Sequence, residues 1–362
     1  MTTRRKALMV GAGAVGVGVG GYWALNRGAD YEDAVNAIRV PQKPKSDADL
    51  DYLVHYATLA ANSHNTQAWL FGKSGGRVTV SPDFKRSTPA VDPDSHHLFV
   101  SLGCAAENLM LAANAAGNST AFAFDATGQG AIAIDFGGAA LRDPLFDAIV
   151  ERQCTRNEYD GKPVSPENLD LLVKAAKMEG CNVIIVADKS RMEQALELII
   201  AADTVQVQDP AFRAELKSWI RFNAATAMAH RDGLYTACTG NLAMPQWLGN
   251  MVFDLVFKPA SENDRYAQHI RSSSGLAVFV TDKDDKQHWA QAGRSYQRFA
   301  LQATALGIRH AFLNQPVEVA PIRAEFATWL GTNGKRPDLV LRFGHGPAMP
   351  KSLRRPIKDL MV

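Results

Sequence analysis

Residues 62–67, Asn-Ser-His-Asn-Thr-Gln, form a run of short polar side chains that is closely followed by Trp69. Before it, Leu50, Leu53 and Ala57 keep the spacing of an amphipathic helix, so the run falls at a helix end and in the turn after it. Its hydroxyl and amide groups can grip the edge of a flat heteroaromatic ring or a ribityl-like chain without adding charge. The alternative is a polar cap and turn before a core Trp.

Two groups of arginines could supply the charge that this run lacks. Arg152 and Arg156 flank Cys154 in an Arg-x-Cys-x-Arg pattern, and Arg354 and Arg355 are adjacent later in the chain. The guanidinium groups of Arg152 and Arg156 can pair phosphate oxygens through charge-assisted hydrogen bonds. The alternatives are a solvated basic turn and a solubilising tail, and which of Arg354 and Arg355 turns inward is left open.

An internal repeat indicates how these residues are positioned. Residues 103–117 and 293–307 align without gaps, both segments begin and end with Gly, and their apolar positions match. Each follows a strand candidate, at 77–80 and 276–280. The repeat predicts an α+β fold of two halves, residues 29–143 and 144–362, that pack as an intramolecular pseudo-dimer. The alternative is that any two Ala-rich helices can be aligned.

These motifs carry a resemblance to a known family. Ser63-x-Asn65-x-Gln67-x-Trp69, which also includes His64, resembles the Ser-x-Asn-x-Gln-Pro-Trp segment of the FMN-dependent nitroreductases, with Ala68 where the family has Pro. The segment 152–156 resembles the family's Arg-x-Ser-x-Arg, with Cys154 in place of Ser, and 354–356 resembles its closing Arg-Arg-Pro. The chain is most similar to the single-chain fused type, the Acg family.

The resemblance implies one composite FMN site. The first half has the Ser/Asn segment but no paired arginines at its start, whereas the second half has the arginines and shows Met-Glu-Gly-Cys-Asn-Val at 178–183 instead. In the homodimeric family one subunit supplies the arginines and the other supplies the Ser/Asn segment. By family position alone, Phe312 and Leu313 are expected to line the flavin ring.

The implied activity is transfer of two electrons, as hydride through flavin N5, to a small electrophile such as a nitroaromatic or a quinone. NAD(P)H or another reductant would be the donor, and the chemistry requires no side-chain catalyst. The alternative is an FMN-storing protein whose lid blocks substrate, and a cofactor-free scaffold is a third reading. The apolar residues 244–257 favour a core helix, with a lid as the alternative, and 202–222 are predicted to be helical.

The N-terminus resembles an export signal. Arg4-Arg5-Lys6 precedes an uncharged stretch, which is typical of a twin-arginine signal over residues 1–28 and predicts a periplasmic or membrane-anchored protein. Whether the segment is cleaved is left open. The competing Gly-x-Gly-x-x-Gly pattern at 11–16 lacks the helix and acidic residue of a dinucleotide-binding fold.

Composition and remaining motifs argue against other classes. A net charge of +2 with dispersed basic residues does not favour nucleic-acid binding, and the four cysteines form no Cys-x-x-Cys pair. His96-His97 has no partner at metal-ligand spacing and is predicted to be structural. The sequence contains no Walker motif.

Overall fold

The export segment lies almost wholly outside the part of the chain that the structure describes. The structure is a computed structural model, and it describes residues 28–46, 49–332 and 334–362. The predicted signal at 1–28 therefore meets the described chain only at Gly28, where the first described helix begins.

The described strands form two antiparallel sheets of four strands each and one short parallel pair. In chain order the strands are β1 (Trp69–Ser74), β2 (Arg77–Pro82), β3 (Asn118–Asp125), β4 (Ala131–Ala139), β5 (Cys181–Val186), β6 (Ile220–Arg221), β7 (Leu234–Tyr235), β8 (Gly275–Thr281), β9 (Arg309–Phe312) and β10 (Pro337–Gly344). The first sheet has the order β1-β2-β4-β3 and the second has the order β5-β8-β10-β9, while β6 and β7 form the parallel pair.

Helices cover and connect these sheets. They are α1 (Gly28–Ala37), α2 (Leu50–Thr58), α3 (His96–Ala115), α4 (Pro166–Ala176), α5 (Lys189–Gln208), α6 (Pro210–Trp219), α7 (Ala224–His230), α8 (Gln246–Val256), α9 (Pro259–Arg271), α10 (Lys286–Ala305), α11 (Gln315–Glu318) and α12 (Ala320–Leu330). Mixed helices and antiparallel strands agree with the predicted α+β class.

The two large sheets have the same strand order. In each, the second strand along the chain leads into a helix of 20 residues, β2 into α3 and β8 into α10. In each, the last strand lies between the second and the third. The chain therefore builds this strand order twice, once in each region that carries a copy of the sequence repeat.

Burial explains the two strand patterns. In β2 the side chains alternate between buried and more accessible positions, and Val78 and Val80 face the core. In β8 and β10 every residue is buried, as the continuous apolar run Leu-Ala-Val-Phe-Val at 276–280 predicts for a strand covered on both faces.

The two long helices cross in direct backbone contact. A Cβ added at Gly103 would lie 1.9 Å from the carbonyl oxygen of Ala290, and one added at Gly293 would lie 2.0 Å from that of Val100. The contacts are reciprocal, because Gly103 aligns with Gly293 and Val100 with Ala290 in the repeat. Only glycine permits this approach, so the matched glycines of the repeat are the residues of the crossing.

Helix α3 also has a membrane-like composition. Within the described ranges it is one helix long and apolar enough to cross a bilayer, and 83% of its most apolar window is buried inside the protein. Its apolar side chains pack against α2, α10 and the first sheet.

The helix predicted over 202–222 is divided in the structure. Helix α5 ends at Gln208 and α6 begins at Pro210. Asp209 caps the second helix, since its carboxylate accepts the N–H of Ala211 at 2.8 Å, and Pro210 lacks the N–H that would continue the first. The Asp-Pro pair marks a helix boundary in the sequence, and the prediction of one continuous helix missed it.

Candidate functional site

A cavity of about 550 Å³ is lined by residues from both halves of the sequence. Its volume lies within the range of roughly 300–1,000 Å³ that is typical of small-molecule sites. The first half contributes Ala61, Asn62, Ser63, His64, Val91, His97, Val100, Ser101 and Cys104. The larger contribution from the second half includes Arg156, residues 311–315, Glu318 and Arg342.

The polar run forms part of the wall of this cavity, and its backbone conformation is unusual. Helix α2 ends at Thr58, and Ser63–Asn65 forms a single 3-10 turn. His64 has a φ of 45°, and Asn65 and Gln67 each have a φ of 54°. Left-handed conformations at non-glycine residues are uncommon and cost on the order of 1 kcal/mol each, so surrounding contacts must hold them. The turn places Ser63 and His64 in the cavity wall.

Asn65 is turned away from the cavity. Its side-chain amide donates to the carbonyls of Gly233 at 3.1 Å and Leu353 at 3.3 Å, and its oxygen accepts from Arg354 at 3.0 Å. The side chain is buried and is not part of the cavity wall. It therefore ties the polar turn to two distant segments of the second half.

Gln67 has a similar position. Its amide donates to the carbonyl of Arg231 at 3.0 Å, and its side-chain oxygen accepts the N–H of Arg355 at 2.7 Å. The Arg355 guanidinium donates to the carbonyl of Gln67 at 3.1 Å and lies 3.7 Å from the carboxylate of Asp83. Neither Gln67 nor Arg355 lines the cavity.

Arg152 and Arg354 cap the end of helix α2 instead of facing the cavity. Arg152 donates to the carbonyl of Leu59 at 3.0 Å, and Arg354 donates to that of Ala60 at 3.2 Å. Cations at a helix C-terminus satisfy its free carbonyls and its dipole. Burial, then the neighbouring Arg39 and Arg152, lower the pKa of Arg354. These groups hold the helix end from which the polar turn departs.

Cys154 lies beside this cluster. Its sulfur is 3.8 Å from the Tyr296 hydroxyl and 3.9 Å from the Arg152 guanidinium. Burial raises the pKa of the thiol, but hydrogen bonding with His310 and the charges of His310 and Arg152 outweigh it, so the pKa is lowered. Cys154 does not line the cavity, and all four cysteines are free.

Arg156 is the predicted arginine that does reach the cavity. Its backbone N–H contacts the sulfur of Met349, but its guanidinium makes no hydrogen bond or ion pair with any residue that the structure describes. A guanidinium group in a partly apolar wall without a carboxylate partner can bind an anion.

Arg342 provides a second cation in the same wall. It is 1% exposed, donates to the carbonyl of Asn157 at 2.8 Å, and stacks on the Tyr159 ring at 4.1 Å. Its other terminal nitrogen, Nη1, has no partner among the described residues. Burial, and then the charge of Arg156, act to lower the pKa of Arg342. The sequence offered one signal for it, an arginine inside the apolar strand β10.

The segment after the second repeat helix reaches the cavity. Strand β9 ends at Phe312, and Phe312 and Leu313 both line the cavity. The Phe312 ring is 4.6 Å from the Tyr296 ring, which holds its orientation. These two side chains provide an apolar surface of the kind that a flat ring requires.

Helix α8 covers the cavity, so the expectation of a core helix is corrected. Of its residues only Gly249 and Phe253 are buried, while Trp247 is 69% exposed. Val252, Phe253 and Val256 line the cavity from this helix. The apolar pattern resembled that of a core helix because one face lines the cavity while other large apolar residues are left exposed.

The structure thus brings five of the eleven predicted site residues to one cavity and leaves six outside its wall. The five are Ser63, His64, Arg156, Phe312 and Leu313. The six are Asn65, Gln67, Arg152, Cys154, Arg354 and Arg355. Arg342, His97 and Glu318 were not predicted as site residues, and the described chain contains no cluster of potential metal ligands.

Comparisons with known proteins agree with the sequence motifs. The model of the nitroreductase family matches residues 149–345. A Mycobacterium tuberculosis H37Rv protein named "Putative NAD(P)H nitroreductase" is 22% identical over 319 residues, which cover 84% of this chain and 88% of the relative.

The solved structures that match this chain have lower sequence identity. A Bacteroides fragilis nitroreductase with bound FMN is 15% identical, and the match covers 59% of this chain and 95% of that one with a TM-score of 0.37. The FMN-dependent nitroreductase NfnB of Mycobacterium smegmatis, in complex with NADPH, is 14% identical, with 55% and 86% coverage and a TM-score of 0.37.

Proposed function

Because this chain belongs to the nitroreductase family, we propose that it is an FMN-dependent oxidoreductase that passes two electrons to a small electrophile such as a nitroaromatic or a quinone. The observation that carries the proposal is the pair of arginines, Arg156 and Arg342, in one cavity of about 550 Å³ without a carboxylate partner among the described residues. A phosphate group or an anionic ring edge would neutralise them.

The residues in the cavity wall fit FMN. Arg156 can pair a phosphate or the ring edge, and Arg342 has a buried nitrogen, Nη1, that lacks an acceptor. Ser63 and His64 offer polar groups to the ribityl chain or ring, and Phe312 and Leu313 offer an apolar face. Bound FMN would supply hydride transfer, while this chain would orient it, balance its charge and exclude water with helix α8.

The predicted residues outside the wall have supporting roles in this proposal. Asn65 and Gln67 hold the polar turn against residues 231–233 and 353–355. Arg152 and Arg354 hold the end of helix α2. Cofactor contact by these residues would require a rearrangement of several buried hydrogen bonds, each worth about 1 kcal/mol or more.

We further propose that residues 29–143 and 144–362 are nitroreductase-like halves of an intramolecular pseudo-dimer that share one site. The proposal is supported by the common strand order of the two sheets. The reciprocal contacts of Gly103 and Gly293 also support it, because a contact of residue i with j and of j with i is the mark of a two-fold interface.

A storage role is the second candidate, and the position of helix α8 favours it. Its side chains line the cavity, and Phe253 stacks on Phe257 with ring centroids 4.6 Å apart. If this helix stays closed, FMN would be held without access for an acceptor.

One experiment separates these functions. The purified full chain is loaded with FMN, mixed with NAD(P)H under anaerobic conditions, and followed at the flavin absorbance band before and after addition of a nitroaromatic. Bleaching and recovery indicate an enzyme, whereas a yellow protein that NAD(P)H and dithionite reduce without turnover indicates storage. If the protein stores FMN, Phe253→Ala, which removes a side chain of helix α8 from the cavity wall, should allow turnover. A chain that binds no FMN contradicts both functions.

The donor and the location are also proposals. NAD(P)H is proposed as reductant because the M. tuberculosis relative carries it in its name. Export by the twin-arginine segment, to the periplasm or as a membrane-tethered protein, is supported by Arg4-Arg5 and the uncharged stretch that follows. Fractionation of cells that express the chain with Arg4-Arg5 or with Lys-Lys at these positions tests it, and equal export of both would contradict it.

A further inference from the structure

A buried chain of four titratable side chains runs into the cavity wall. The Asp338 carboxylate lies 2.9 Å from Nε2 of His96, whose Nδ1 lies 3.2 Å from Nδ1 of His97. Nε2 of His97 lies 3.1 Å from the Glu318 carboxylate. The chain thus connects helix α3 to strand β10 at one end and to helix α11 at the other.

The number of links fixes the number of protons. Each of the three links needs one hydrogen, but two neutral imidazoles together carry only two. Neutral histidines between ionised carboxylates would therefore leave one link as two facing acceptors. The four side chains must therefore hold one further proton, either as an imidazolium or as a carboxylic acid.

The electrostatics favour this proton at His97. Burial acts to lower the pKa of His97, but its hydrogen bond to Glu318 and the charges of Glu318 and Asp92 outweigh it, so the pKa is raised. Burial, and then His97, hold the pKa of His96 well below its ordinary value. Burial acts to raise the pKa of Glu318, but its bonds to His97 and Gln206 outweigh it and lower that pKa.

Other titratable and charged groups surround these four side chains. Asp92, before helix α3, accepts the backbone N–H of His97, and Arg336 and Arg323 lie near His96. Burial raises the pKa of Asp338 to about 7. His64 faces Glu318 from the polar turn, and burial lowers the pKa of His64 to about 4, so it is neutral there.

His97 and Glu318 form part of the walls of two different cavities. They line the main cavity and also a second one of about 250 Å³. The second cavity is further lined by Pro93, Asp94 and Ala320, which are exposed at the protein surface. The pair therefore lies between the proposed flavin site and a space that opens towards solvent.

We propose that the His97–Glu318 pair supplies the proton that accompanies hydride transfer to the acceptor in the main cavity. This proposal rests on the proposed function. The hydride carries two electrons and one proton, and the pair gives a second proton. A quinone thus becomes a hydroquinone, and a nitro group becomes a nitroso group with release of water. The pair, left as imidazole and carboxylate, regains its proton from solvent through the second cavity. His96 and Asp338 are positioning residues.

The test compares His97→Gln and Glu318→Gln with His288→Gln as a matched control. His288 also pairs with a carboxylate, Asp285, at 2.7 Å, but it lines neither cavity. Two acceptors are used with each FMN-loaded protein: a nitroaromatic, which needs a proton, and ferricyanide, which accepts electrons without one. Loss of the proton donor should lower kcat/KM for the nitroaromatic by about tenfold or more and leave that for ferricyanide within twofold.

A second readout does not depend on turnover. In the wild-type protein, ¹⁵N NMR should show His97 protonated on both ring nitrogens at pH 7, and Glu318→Gln should make its imidazole neutral at that pH. A neutral His97 in the wild-type protein, or equal losses with both acceptors, would overturn the proposal. Absence of FMN binding by the wild-type chain would instead show that the proposed function has failed, while the NMR result would still report on the proton.

Discussion

At the residue scale, the arginines of the cavity wall differ from one another in how they are paired, and Arg265 bonds the carboxylate of Glu262. Elsewhere, Arg298 bonds the carboxylates of Glu107 and Asp143, each at 2.9 Å, and Arg221 bonds that of Asp232 at 2.7 Å. Arg156 and Arg342 have no such partner among the described residues. A bound anion such as the phosphate of the proposed FMN would neutralise these two cations.

Replacement of Arg156 tests this charge. Arg156→Ala should raise the FMN Kd by about ten- to a hundredfold, because a hydrogen bond to a charged group contributes about 1.5–3 kcal/mol. The FMN Kd of Arg156→Lys should lie between those of the wild type and Arg156→Ala, since lysine keeps the charge but lacks the planar guanidinium group. Fluorescence titration measures the Kd. The control is Arg271→Ala, which removes an exposed arginine paired with Glu193. An FMN Kd for Arg156→Ala within twofold of the wild type would contradict this assignment.

The buried carboxyl group of Asp203 should make the stability of the folded protein depend on pH. It lines the cavity, and one of its carboxylate oxygens, Oδ2, has no partner. Burial, and then Glu262, raise its pKa from 3.8 to about 7. The folded state therefore binds a proton that the unfolded state releases between these values, and stability falls as pH rises through that window.

Asp203→Asn should remove this loss. Its gain in Tm over the wild type should be small at pH 4 and should reach several degrees at pH 8, consistent with about 1–4 kcal/mol. Thermal unfolding of the FMN-free chain at both pH values measures it. Asp264→Asn, at an exposed position of helix α9, is the control. A gain that does not change with pH would show that folding does not raise the pKa of Asp203.

At the scale of elements, the crossing of helices α3 and α10 decides how the two halves meet. Gly103 and Gly293 allow backbone contact, and Cys104 adds a hydrogen bond from its thiol to the carbonyl of Gly293 at 3.2 Å. Any side chain at either glycine would meet main-chain atoms, which cannot move aside as a flexible side chain can.

Gly103→Ala and Gly293→Ala should therefore each destabilise the protein. We expect a loss of about 3 kcal/mol or more, or roughly 5 °C in Tm, for each. Gly138→Ala is the matched control, because a Cβ at Gly138 meets nothing within 4 Å. Thermal unfolding of the three variants measures the effect, and a loss for Gly103→Ala no larger than that for Gly138→Ala would show that the helices are not in direct contact.

At the scale of the whole molecule, the repeat was readable from the sequence because it depends on local patterns. The glycines and apolar positions of 103–117 and 293–307 predicted two equivalent helices, and both are present. The site was readable only in part. Ser63, His64 and Arg156 line the cavity, whereas three positive φ values turn Asn65 and Gln67 inward, and periodicity does not encode backbone handedness.

Residues that depend on distant partners could not be found in the sequence. His96 and His97 were predicted to be structural because no acidic residue lies at metal-ligand spacing. Their partners, Asp338 and Glu318, are more than 200 positions away in the sequence and lie beside them only in the folded protein. Arg342 also depends on distant partners, and its one signal in the sequence was its position within the apolar strand β10.

The most direct test of the whole account is the number of FMN molecules that one chain binds. Titration of the cofactor-free full chain, followed by flavin fluorescence and by isothermal calorimetry, gives the stoichiometry. One FMN per 362-residue chain is the expected result, because the proposed composite cavity takes its walls from both halves. Two FMN molecules per chain would mean that each half binds its own cofactor, and no binding would contradict the flavin site itself.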